Sequence, residues 1–116
     1  MNWQQLQSLE QLAEITAASE NHPIVIFKHS TRCSISSMAL NRLERGWDSA
    51  IMNDQHAYYL DLIRYRDISN AIAQKFGIPH ESPQLLVIYK GQVVEDTSHM
   101  GISFEIIKEA LGSAAA

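Results

Sequence analysis

The chain has 116 residues, 46% of them apolar, and a formal net charge of -4. That length gives one domain with a single core and is too short for two. Acids and bases are interleaved without a basic run, which argues against nucleic acid or an anionic membrane surface as the main partner.

No stretch approaches the roughly 20 apolar residues that a membrane-crossing helix needs. Met1-Asn2-Trp3-Gln4-Gln5 lacks the basic head and apolar segment of a secretory signal. The single cysteine, Cys33, has no partner for an internal disulfide, and no ligand spacing suits zinc. The expected compartment is a reducing cytoplasm, and the expected metal content is none.

Ser8-Leu9-Glu10-Gln11 reads as a capping box opening an amphipathic helix with Leu9, Leu12 and Ile15 on one face. Asn21-His22-Pro23 stops it, because proline disfavours helix at the residue before it. Ile24 to Phe27 is an unbroken apolar run rich in β-branched residues, which suits a strand covered on both faces. A second helix begins near Cys33 and carries Ile35, Met38, Ala39 and Leu43 inward, with Gly46 ending or bending it. Trp47, Ile51 and Met52 form a further packed turn or short helix.

His56 to Ile63 reads as a second strand. Asp67 is the expected N-cap of a third helix through Phe76, with Gly77 as its stop. Gln84 to Tyr89 is a third strand, joined by the tight Lys90-Gly91 connection to a fourth over Gln92 to Thr97. Ser103 then caps a closing helix with Ile106, Ile107, Ala110 and Leu111 inward. The expected domain is 1–112, and 113–116 are expected to form a disordered tail.

A helical crossover makes the first two strands parallel, and the last two form an antiparallel hairpin. The predicted fold class is α/β, a mixed four-stranded sheet with helices on both faces.

Cys33 stands where a polar turn, Ser30-Thr31-Arg32, passes into the second helix. The first turn of a helix carries unpartnered N–H groups and partial positive charge, so a thiolate there is stabilised relative to the thiol. A lone cysteine is ordinarily a small buried hydrophobe. This one, flanked by Arg32, Ser34 and Ser36, reads as a reactive thiol. Ser36, three residues on, stands where a dithiol redoxin needs its second cysteine, so only monothiol exchange is open. Two roles suggest themselves for its hydroxyl: a hydrogen bond to the thiolate, or a cap on the helix.

A Cys at the first strand-to-helix turn and a Pro before the third strand, in this order of elements, resemble the thioredoxin fold. The resemblance covers essentially the whole chain. It implies a cis Ser82–Pro83 bond, with the Ser82 backbone offered to substrate beside the active cysteine.

Three segments narrow the likeness. Phe27-Lys28-His29-Ser30-Thr31-Arg32-Cys33-Ser34-Ile35-Ser36, Tyr59-Leu60-Asp61-Leu62-Ile63-Arg64 and Phe76-Gly77-Ile78-Pro79-His80-Glu81-Ser82-Pro83-Gln84 look like the monothiol bacilliredoxins (the YtxJ-like group). That likeness implies removal of bacillithiol from S-bacillithiolated client proteins through a Cys33 mixed disulfide. Bacillithiol then serves as a low-molecular-weight co-substrate, and no cofactor is bound. One departure is Ser34, where the family commonly has proline.

Thr31, Arg32 and Ser34 are candidates to contact the small thiol, Arg32 through its carboxylates. Thioredoxins place a buried acid beneath the active site, and here Ile26, Phe27 and Lys28 occupy that part of the strand. His80 is therefore the candidate for proton transfer. The competing readings are a thioredoxin-fold binding module without redox turnover and a monothiol iron–sulfur carrier.

Overall fold

The computed structural model describes residues 1–115, with side chains through Ser113. The elements are β1 (Gln4–Gln5), α1 (Leu9–Ala18), β2 (Ile24–His29), α2 (Ser34–Gly46), β3 (Ala57–Asp61), α3 (Arg66–Phe76), β4 (Gln84–Tyr89), β5 (Gln92–Ser98) and α4 (Phe104–Ala115). Short 3₁₀ turns at Asp54–His56 and His99–Gly101 precede β3 and α4. Among the described residues no helix is long and apolar enough to cross a membrane.

The sheet runs β1-β3-β2-β4-β5. β2 pairs parallel with β3 and antiparallel with β4, and β5 closes one edge antiparallel to β4. The fifth strand is the two-residue β1, parallel to β3 at the other edge. Two residues are too few to leave a periodic signal in sequence, and only pairing with Tyr58 and Tyr59 defines them.

β2 and β4 are buried on both faces, and alternation of side chains divides the core between them. Val25, Phe27, Leu85 and Val87 face α2 and α4, meeting Ala39, Leu43, Phe104 and Ile107. Ile24, Ile26, Leu86 and Ile88 face α1 and α3, meeting Leu12, Ile15, Ile68 and Ile72. Full burial of each Val, Leu, Ile or Phe among them contributes about 1.5–3 kcal/mol.

At β4–β5 the connection Lys90-Gly91 has both residues at positive φ, 53° and 72°, as a two-residue turn matched to strand twist requires. The Lys90 and Gly91 amides donate to the Ser19 carbonyl and Ser19 Oγ, tying the hairpin to the end of α1.

Several local expectations shift. Ile35 and Met38 are exposed, 54% and 62%, whereas Ser36 is buried. Helical spacing allowed either phase for α2, and hydrogen bonds made by Ser36 select the one that turns Ile35 and Met38 outward. α3 begins one residue before the expected cap: Tyr65 holds the N-cap position and Asp67 lies in the first turn. Ser8 Oγ accepts from the Gln11 amide, but Gln11 Oε1 accepts from Gln7 rather than closing the box at Ser8. α4 continues through Ser113–Ala115, past the expected start of a disordered tail at Ser113. A helical glycine costs only about 1 kcal/mol relative to alanine, so Gly112 does not end it. Ala116 lies outside the described residues.

Two glycines make opposite predictions. Gly77 ends α3 at φ 65°, with nothing within 4 Å of an added Cβ. Gly77→Ala is expected to lower stability by about 1 kcal/mol through backbone strain alone. Gly112 has equal space but lies within α4, so Gly112→Ala should raise stability by up to about 1 kcal/mol. Urea unfolding of the two variants checks both signs.

Candidate functional site

The two segments that make the site leave the sheet together. Lys28 of β2 pairs antiparallel with Gln84 of β4, so the chain toward Cys33 and the chain from Pro83 emerge at the same end. Cys33 is a half-buried free thiol at the N-cap of α2. Its backbone is extended (φ -110°, ψ 120°); its amide donates to the Ser30 carbonyl at 3.1 Å, and its carbonyl accepts from Ser37 at 3.1 Å. The thiol is thus carried on a tight turn whose geometry is fixed from both sides. Thr31, Arg32 and Ser34 are exposed around it, and Pro83 is buried with Ser82 half-buried beside it. The Ser82–Pro83 bond is cis.

Beyond its core residues, β2 delivers one polar side chain to each face. His29 continues the row of Val25 and Phe27 and reaches under the start of α2. Its Nδ1 lies 2.7 Å from Ser36 Oγ, which also accepts from the Ser30 amide at 3.1 Å. With Oγ already accepting once, the Ser36 hydroxyl is assigned as donor to a neutral imidazole. Burial lowers the His29 pKa from its ordinary value, opposed by the nearby Asp61 and Glu44 charges. Ser36 gives α2 no side-chain cap. Its hydroxyl ties the reactive turn to His29.

Lys28 continues the row of Ile24 and Ile26 toward α3 and is 1% exposed. Its Nζ lies 3.4 Å from the Ser69 carbonyl and 3.4 Å from His80 Nδ1. Ser69 Oγ is 3.2 Å from the same Nδ1. Burial pushes the Lys28 pKa down to about 8, with no acidic group opposing it. The His80 pKa is lowered as well, first by desolvation and then by Lys28 and Arg66, with Glu81 acting the other way. Across the ladder, Gln84 is equally buried. Its Nε2 donates to the Pro79 carbonyl and its Oε1 accepts from the Glu81 amide, so that, with His80 against Lys28, the loop before Pro83 is held at three points.

A third segment borders this end of the sheet. The His99 amide donates to the Pro83 carbonyl at 3.3 Å. Arg42 of α2 donates from Nε to the Ile102 carbonyl and from Nη2 to the His99 carbonyl. These bonds fasten the 3₁₀ turn between α2 and the proline loop, leaving Met100 81% exposed. Among the described residues no cluster of three or more His, Cys, Asp or Glu is placed to hold a metal ion.

The structure therefore groups Cys33, Thr31, Arg32, Ser34 and Ser36 on one turn, and His80, Ser82 and Pro83 on the loop that leaves the sheet beside it. Sequence reasoning passed over Gln84 and the buried side of Lys28. A lysine and a glutamine directly following and preceding apolar strand runs were the available signal. Which loop they would brace depended on strand pairing.

A thioredoxin-type mixed sheet with one thiol at the β2–α2 turn defines a monothiol member of the thioredoxin-fold oxidoreductases. The family described as monothiol bacilliredoxin BrxC matches residues 4–107. This chain belongs to that family. A solved thioredoxin-fold protein assigned as an oxidoreductase is 30% identical, with a TM-score of 0.78 over 91% of this chain and 90% of its own. The N21Q mutant thioredoxin of Halobacterium salinarum NRC-1 is 18% identical, with a TM-score of 0.68 over 97% of this chain and 89% of its own. Malassezia sympodialis thioredoxin is 16% identical, with a TM-score of 0.71 over 99% and 92%. The last two show likeness of fold.

Two variants test these contacts. Ser36→Ala leaves the Ser30 amide and His29 Nδ1 without their shared partner and should cost about 1–3 kcal/mol in thermal unfolding. Lys28→Met should act in the opposite direction at neutral pH. The folded Lys28 value, about 8, lies below the ordinary 10.5, so the buried ammonium costs stability below pH 8 and this cost fades as pH rises toward 10.5. Its full size is roughly 3 kcal/mol, from which the two lost hydrogen bonds subtract about 1–2 kcal/mol. Lys28→Met is expected to be more stable at pH 7, with the gain vanishing as pH rises. Unfolding at pH 7 and pH 10 decides; lower stability at pH 7 contradicts the account.

Proposed function

We propose that the protein is a monothiol thiol–disulfide oxidoreductase that removes bacillithiol from S-bacillithiolated proteins through a mixed disulfide on Cys33. The observation that carries this reading is the placing of the only thiol at the N-cap of α2, at the sheet end shared with the cis-proline loop, while position 36 is a hydroxyl bound to His29. The Cys33 thiolate attacks the bacillithiol sulfur. The client sulfur leaves with the electron pair of the broken S–S bond, and Cys33 carries the bacillithiol.

With no second cysteine in the chain, a further small thiol or another redoxin must release the adduct. Thr31, Arg32 and Ser34 surround the thiol as contacts for bacillithiol, Arg32 through a carboxylate. The Ser82 backbone receives the client segment. The exposed side chains of Ile35, Met38 and Met100 supply apolar surface on the two elements bordering the site. Such a cycle suits a reducing cytoplasm.

The test is intact mass after mixing reduced protein with a client carrying a bacillithiol mixed disulfide, beside a glutathione equivalent. One adduct on Cys33 with free client, favoured for bacillithiol and absent in Cys33→Ala, is the expected result. Equal transfer from both removes the bacillithiol preference. Absence of any adduct on wild-type protein removes the exchange reaction.

A further inference from the structure

The exchange reaction expels a client thiolate, and an ordinary aliphatic thiolate, with a conjugate pKa of roughly 8.5, leaves faster when a proton is supplied to it. The structure holds a buried ammonium group against the loop that leads to Pro83. Lys28 is 1% exposed, and its Nζ is 3.4 Å from His80 Nδ1 and 3.4 Å from the Ser69 carbonyl. His80 itself is exposed, and its Nδ1 is turned inward to Lys28 and Ser69. An imidazole held by Nδ1 as acceptor carries its proton on Nε2, at the outer edge of the ring.

We propose that Lys28 is the proton reservoir of the exchange reaction, acting through His80 as its relay. The proposal rests on the exchange reaction given above. When the client thiolate departs, it takes the Nε2 proton of His80, and His80 Nδ1 takes a proton from the Lys28 ammonium. Lys28 becomes a neutral amine that accepts from Nδ1–H and still donates to the Ser69 carbonyl.

The electron balance is that of the disulfide exchange alone: Cys33 is oxidised into the new disulfide and the client sulfur is reduced. The proton returns when a second small thiol attacks the adduct, because that thiol must lose one to become the nucleophile. Over a full cycle Lys28 gains and loses one proton. Lys28 is a positioning and proton-holding residue; His80 is the group that meets the leaving sulfur.

The energetics fit this exchange. A buried ammonium with a value of about 8 and a thiol of roughly 8.5 trade a proton at nearly equal free energy, so neither state traps it. The charged groups acting on His80 are Lys28 from β2, Arg66 from the start of α3 and Glu81 from its own loop. Desolvation first, and then the two cations, favour the neutral ring that a relay requires. A surface lysine near its ordinary 10.5 would hold its proton too tightly to serve.

The experiment uses two disulfides with the same attacked sulfur and different leaving groups. One joins bacillithiol to a client peptide cysteine; the other joins it to thionitrobenzoate, an aromatic thiol acidic enough to leave without a proton. Single-turnover rates are measured from pH 6 to pH 9.5 for wild type, Lys28→Met, Lys28→Arg and His80→Gln. The expected result is a loss of about tenfold or more with the peptide in all three variants, with the thionitrobenzoate rates held within about twofold.

The wild-type peptide rate, relative to the thionitrobenzoate rate, should bend downward above about pH 8 as the reservoir empties. This bend should vanish in Lys28→Arg, because arginine keeps the charge and the hydrogen bond but does not release its proton. Restoration of the peptide rate by Lys28→Arg would show a purely structural cation and overturn the proposal, as would equal losses on both substrates. His80→Gln, on an exposed loop, keeps the test decisive if a Lys28 variant fails to fold. Wild-type protein that exchanges with both disulfides, alongside variants that keep the peptide rate, sinks the relay and keeps the exchange; wild-type protein that reacts with neither sinks both.

Discussion

Strand β2 is buried on both faces, so every side chain along it must go to one helical layer or the other. For Ile24 to Phe27 this divides apolar residues between two cores. At Lys28 and His29 the same alternation continues after the apolar residues end. It sends an amine under α3 and an imidazole under α2, immediately before the turn that carries Cys33. The chemistry of the site thus inherits its geometry from sheet parity. A one-residue slip would send each to the opposite helical layer, the lysine toward α2 and the histidine toward α3.

Both polar residues are satisfied by groups that would otherwise be free. Ser36 bonds the Ser30 amide and His29 together, and Ser69 and His80 meet Lys28. Gln84, opposite Lys28 in the ladder, does the same for the loop carrying Pro79 and Glu81. A rigid scaffold of apolar packing therefore ends in a shell of polar contacts on which the reactive turn and the proline loop rest. Unpaired, any of these buried groups would cost about 1–3 kcal/mol, so the arrangement is cooperative. Each contact holds a loop and is itself protected by that loop.

Much of this was legible in the sequence. The apolar run of β2, the hairpin glycine at 91 and the glycine stop at 77 each act through local backbone physics, and each gave the right element. The position of Cys33 at a helix start was readable for the same reason. The inward face of α2 was not, because Ile35 and Met38 outrank Ser36 in any reading by hydrophobicity. Only the partner hydroxyl of His29, supplied by a neighbouring element, makes a serine preferable there. Likewise Lys28 follows the apolar run as a charged residue, and its burial follows from α3 and the His80 loop closing over it. Long-range pairing decided what local pattern left open.

The environment of Ser36 also bears on how this kind of protein can change. A thiol is a weak hydrogen-bond donor and acceptor, so cysteine at 36 would leave the Ser30 amide and the His29 ring poorly bonded inside the fold. Gaining a self-resolving pair therefore requires the interior to be rebuilt along with the reactive turn. Single-thiol behaviour is in this sense bound up with the hydrogen bonds among residues 29, 30 and 36. With one cysteine in the chain, no internal thiol is available to resolve a mixed disulfide on Cys33.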